Sequence, residues 1–203
     1  MAWDYIIGVQ QFFAYMSDEQ KNNATLIYDY LGSNGLTLEA VCGILGNITH
    51  ESGLNPGNKQ TASTGSGWGF IQWTPSSVLT QWCKNQRYNW YDGSAQCERI
   101  VCEGEGTHGA QGYWLPTTQY PYTWGQFSAL TNVDEATKAY LYERERAGVS
   151  ALDYRLNYAN AWYAYFTGQP TPPTPRPPLP PTPYKREGGM PVYMMLRRKN
   201  ERI

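Results

Sequence analysis

The stretch GILGNITHESGLNPG, Gly43 to Gly57, sets a carboxylate at the end of an apolar helical pattern. The pattern breaks at Gly53 and Asn55-Pro56, residues that favour turns. At about 100° per residue, Leu38, Val41, Cys42, Ile44, Leu45 and Ile48 form one stripe, and Glu51 falls roughly 100° from its centre. Glu51 therefore sits on the border between core and solvent. The dipole is negative at a helix C-terminus, and partial burial adds to it, so both disfavour the charged form. A carboxyl that keeps its proton near neutral pH is what a general acid needs to protonate a leaving oxygen. The plainer alternative is a boundary glutamate paired with a lysine. His50 stands beside it, but adjacent helical residues point about 100° apart. It reads as a surface or cleft-rim residue.

The elements that must position Glu51 are mostly helices. Ser17 followed by Gln20 is a capping-box pattern, and Ala24, Ile27, Tyr28 and Leu31 recur behind it at helical spacing. GSNG ends that helix. A second runs from Leu38 to about Ser52. TPSSVLTQWCKNQ opens a third with Pro75 near its start, and SAQCERIVCEGEG reads as a fourth. NVDEATKAYLYERERAG is a fifth with Gly148 as its stop, and SALDYRLNYANAWYAYFTG a sixth, strongly aromatic. Between the fourth and fifth lies THGAQGYWLPTTQYPYTWGQF, an aromatic loop with little periodicity. The fold class is mainly α, in a domain over 17–169, after an N-terminal extension, 1–16.

Composition narrows the function classes. Residues 1–169 carry nine Lys/Arg against fifteen Asp/Glu, whereas residues 170–203 carry seven against two. An acidic body argues against nucleic acid as its target. No stretch reaches the ~18 apolar residues of a membrane span, and the first twenty residues lack the basic start and unbroken apolar run of an export signal. Soluble synthesis outside the usual export route is the expectation. Cys42 reads as a small buried hydrophobe. Cys83, Cys97 and Cys102 fit free thiols best; one disulfide, or a metal cluster with His108, are the alternatives. The expectation is no metal and no cofactor. Residues 170–184 hold nine prolines and read as a polyproline II linker on the order of 40 Å long. It serves as a spacer or as a PxxP docking ligand. Residues 185–203 form a basic tail, too short to fold alone.

The motif pair carries a resemblance to a known family. HESGLNPG followed by GSGWGFIQWTP, a helix-ending ES(G)xNP and then GxxQ, resembles the goose-type lysozyme and lytic transglycosylase superfamily. With the later ERAG and YANAWYAYF, the chain more closely resembles the phage tail lysozyme family, from about Asn22 to Gly168. The resemblance implies a two-lobed fold with a catalytic cleft, followed by the Pro-rich tail. It implies cleavage of the MurNAc–GlcNAc strand of bacterial peptidoglycan, and a place in the virion as part of a phage tail. Residues 170–203 would then contact other tail proteins. Glu51 matches the catalytic acid and Gln72 the cleft glutamine. Trp68 and Trp73 could stack on sugars, and Gly67 and Gly69 would let backbone approach the glycan. Thr61 and Thr64 could hold a water.

One feature departs from a two-carboxylate plan. No Asp or Glu occurs between Ser52 and Tyr91, whereas paired-carboxyl glycosidases need two carboxyls ~5 to 9.5 Å apart. Either Glu51 acts alone, as in lytic transglycosylases, or hydroxyls and amides position water for hydrolysis. A distant Glu143, Glu145 or Asp92 could also fold back into the cleft. For Glu145 the structural alternative is an ion pair with Arg146 or Arg155. The rival to an enzyme is a glycan-binding or structural tail protein that no longer cuts.

Overall fold

A computed structural model of the chain describes residue 3 and residues 16–60, 66–146 and 151–169. The linker, the basic tail and Thr61 and Thr64 lie outside these residues, as does most of the extension. The mainly helical expectation is met, with seven α-helices and no extended strand among the described residues. Helix α1 spans Asp18–Ser33, α2 Leu38–Ser52, α3 Ser77–Gln86 and α4 Gly93–Glu105. They are followed by α5 at Trp124–Ser128, α6 at Val133–Tyr140 and α7 at Leu152–Thr167.

Local chemistry explains the ends. The capping box at α1 is formed: the Ser17 hydroxyl accepts from the Gln20 N–H, and the Gln20 side chain accepts from the Ser17 N–H. Thr37 caps α2, which stops at Gly53 in the left-handed conformation, where glycine carries no Cβ penalty. The aromatic loop is not wholly irregular. A second capping box, Thr123 with Gln126, starts α5 inside it, a signal too short to show as periodicity. The fifth helical pattern also differs from expectation. It leaves α geometry at Tyr140 and closes with a π-helical turn, Leu141–Glu145, whose Arg146 N–H donates to the Leu141 carbonyl at 2.7 Å.

Helix α2 is the hub, and every residue from Ala40 to Thr49 is buried. It packs most extensively against α7 and α6, and also against α1. Two glycines make the close approach possible. A Cβ on Gly43 would meet the Ala136 backbone of α6 at 2.7 Å, and one on Gly46 would meet the Arg155 carbonyl of α7 at 2.5 Å. Trp3 also reaches this body. Its indole N–H donates to Ser94, and its ring meets Phe70 edge-on at 5.6 Å. All four cysteines are buried and free.

Candidate functional site

A groove of about 440 Å³ opens where α2 ends. Glu51 lines it together with Gln60, Ile71, Gln72, Trp73, Thr74 and Val78, and with Tyr113 and Arg144 to Arg146. The groove thus draws on four places in the sequence: the end of α2, Gln60 with residues 71–78 up to the start of α3, the aromatic loop, and the π-helical turn.

Glu51 is one-fifth exposed, as its boundary position predicts, but its neighbour is not a lysine. The Arg155 guanidinium of α7 donates to Glu51 Oε1 in a short ion pair, and a second Arg155 N–H donates to Asn47 Oδ1 at 3.0 Å. Asn47 is held in turn by the carbonyls of Gly43, at 2.8 Å, and Thr137, at 3.1 Å. Asn47 lies one turn before Glu51, so both face α7, and the absent side chain of Gly46 lets α7 come close enough for Arg155 to reach them. The sequence offers Arg155 as a partner for Glu145; the fold assigns it to Glu51. His50 is half-buried beside Tyr154, with ring centroids 6.4 Å apart. Burial, and then the nearby Arg155 charge, push its imidazole below the ordinary value. It is not among the groove-lining residues.

Of the distant carboxylates, the π-helical turn sorts two. Consecutive helical residues point in different directions, so Glu143, Arg144 and Glu145 go to three destinations. The Glu143 carboxylate turns to the aromatic loop and accepts the Tyr122 N–H at 3.0 Å. Burial raises it to about 7, against which the backbone donors work. Arg144 turns inward to the Glu103 carboxylate, and Glu145 turns to the groove beside Glu51. Oε1 of Glu145 is sealed from solvent with no hydrogen-bond partner among the described residues. Burial first, and the Glu51 charge second, hold its carboxyl above the usual range. Asp92 stays away and caps α4 through the Ser94 N–H at 2.8 Å.

The GxxQ loop is built by its own contacts. Gln72 adopts a left-handed φ of 51°, and its side-chain amide donates to the Gly69 carbonyl at 2.7 Å. Gly69 has φ 79°, and a Cβ there would lie 2.7 Å from Gln96 Oε1. Gly67 likewise faces Gln72, with a Cβ position 2.9 Å from it. Both glycines are therefore required by the packing of the loop itself. Trp73 lines the groove but is 2% exposed, with its indole N–H donating to Glu103 at 2.8 Å. Trp68 is half-buried outside the lining set, where the Lys59 ammonium sits 4.3 Å from its ring and Trp90 packs at 4.7 Å.

Sequence reasoning missed the supports. Gln96, fully buried on α4, accepts from the Phe70 N–H at 2.7 Å and donates to the carbonyls of Pro56 and Trp90. Glu103 binds Trp73 and Arg99 through one oxygen and Arg144 through the other. The Tyr113 ring stacks under both arginines, 4.9 Å from Arg99 and 5.4 Å from Arg144. A glutamine and a charged pair on the apolar face of α4 were the available signal.

The model of the phage tail lysozyme family matches residues 22–166, which includes every described residue of the groove. The chain belongs to the phage tail lysozyme family. The chain is also similar to the curated "Morphogenesis protein 1" of Bacillus phage B103, 30% identical over 161 residues, or 77% of this chain. The chain spans 42% of that relative's length. In this family member no helix among the described residues is long and apolar enough to cross a membrane.

Proposed function

We propose that the chain cleaves the MurNAc–GlcNAc glycan strand of bacterial peptidoglycan, with Glu51 as general acid. The observation that carries this reading is the groove itself: Glu51 lines it as a partly exposed carboxyl at the end of a buried helix. Membership of the tail lysozyme family supports the substrate class. Gln72 and Trp73 line the same groove, and Gln72 offers an amide to sugar hydroxyls. Buried Asn47 and Arg155 hold the Glu51 side chain in one orientation, so a bound strand meets a preorganised group.

The test is release of soluble muropeptides from purified cell walls. Glu51→Gln keeps the shape of the side chain and removes its proton, so release should fall by roughly 2–4 orders of magnitude, the size of a general-acid contribution. Release at the wild-type rate refutes the assignment. Product masses separate the chemistries: anhydro ends mark a lytic transglycosylase, reducing ends a hydrolase.

A second reading has its own observation. The Arg155 cation is already spent on Glu51, which suits a site that binds glycan without cutting it. A binding protein retains walls without releasing fragments at any protein ratio. In either case we propose that residues 170–184 are a spacer and that residues 185–203 anchor the domain to other tail proteins in the virion.

A further inference from the structure

The groove holds a second carboxyl that the mechanism above does not use. Glu145 lies on the π-helical turn, which places it on the wall that Glu51 shares. Of the two arginines flanking it in sequence, Arg144 is taken up by Glu103, while Arg146 is exposed on the groove; Arg155 is held by Glu51 and Asn47. Glu145 forms no ion pair among the described residues. Its Oε1 is shut away from solvent without a donor. An ionised carboxylate left so is costly, whereas a neutral carboxyl tolerates the site far better.

We propose that Glu145 is the positioning partner of Glu51: the two carboxyls hold one proton between them, stored on Glu145 and delivered through Glu51. The inference rests on the glycan-cleaving reading of the groove. The charged groups around Glu145 divide, and the exposed Arg146 beside it lines the same groove. Glu51 of α2 and Glu103 of α4 oppose its ionisation, while Arg144 of the π-helical turn and Arg155 of α7 favour it. Tyr140 of α6 lies within reach of the same charge. Burial and the Glu51 charge lead this balance, so the neutral carboxyl prevails.

The step balances in the hydrolytic form. The proton passes from Glu145 to Glu51 and on to the glycosidic oxygen as the bond from that oxygen to the anomeric carbon breaks. Water adds its hydroxyl to the anomeric carbon, and its remaining proton returns to the pair. The pairing supplies the second carboxyl that the 52–91 stretch lacks, from a residue 94 positions beyond Glu51 (145 − 51).

Two measurements test the proposal. The first needs no activity: carbon-13 NMR of the side-chain carboxyls follows Glu145 against pH in the wild-type chain and in Glu51→Gln. Removing the neighbouring charge should move the Glu145 titration to lower pH; an unmoved titration overturns the pairing. The second is the pH profile of muropeptide release. Glu145→Gln should shift the alkaline limb toward acid and cut release at neutral pH at least tenfold, and Glu145→Asp should restore part of both. A Glu145→Gln profile that keeps its limbs, whatever its height, overturns the role. If the wild-type chain releases nothing, the glycan-cleaving reading fails, and with it the catalytic use of the proton, while the NMR result still decides the pairing.

Discussion

At the scale of the residue, the site separates what lines the groove from what builds it. Gln72 lines the groove and braces Gly69, whereas Trp68 stands outside the lining set with Lys59 over its ring. Gln72→Ala should therefore slow muropeptide release about tenfold, the loss of roughly one well-placed hydrogen bond. Trp68→Ala should slow it much less. Initial release rates for the two variants, with circular dichroism as the fold control, check the order; a larger loss at Trp68 would put sugar stacking back on that ring. Glu103 shows the opposite kind of residue. It is almost wholly buried, yet it ties Trp73, Arg99 and Arg144 together beneath the groove.

At the scale of the element, the meeting of α2 with α7 sets the position of Glu51. The Gly46 position leaves no room for a side chain, because the nearest obstacle is backbone rather than a flexible tip. Gly46→Ala should cost about 1–3 kcal/mol through overpacking and lower the melting temperature by roughly 3–10 °C. Pushing α7 away would also loosen the Arg155 contact with Glu51. Thermal unfolding by circular dichroism reads the first effect, and an unchanged midpoint would mean that α7 is not seated as described. The π-helical turn is the second decisive element. One extra residue in the last turn of the α6 segment redirects Glu143, Arg144 and Glu145 to the aromatic loop, the buried Glu103 and the groove.

At the scale of the whole molecule, Glu143 couples protonation to stability. Burial holds its carboxyl up to about 7 in the fold, against an ordinary value of 4.5. A raised carboxyl binds its proton more tightly in the folded chain than in the unfolded one. Its contribution is therefore complete below the unfolded value and is lost as pH rises through about 7. Glu145 acts with the same sign. The melting temperature should fall between roughly pH 4.5 and 7.5, and Glu143→Gln should flatten part of that slope. An identical slope in the variant would show that Glu143 is not protonated in the fold. For the chain as a whole, removing residues 170–203 should leave muropeptide release intact and detach the domain from virions; continued virion association would place the anchor elsewhere.

Sequence alone determined the elements that obey local rules. Ser17 with Gln20 and Gly53 mark helix ends because caps are made by neighbours in the chain, and the apolar stripe of α2 locates Glu51 because a helix has one period. The ES(G)xNP and GxxQ motifs carried the family. Two local signals were present and too short to read: the Thr123–Gln126 box of α5 and the departure from α geometry after Tyr140. Only the tertiary structure decided which cation meets which carboxylate. Arg155 lies 104 residues from Glu51, and nothing local distinguishes its pairing with Glu51 from one with Glu145. That choice follows from how closely α7 can approach α2 and from the turn that carries Glu145 into the groove. Charge partners are set by distance in space, and a helix wheel records only direction about its own axis.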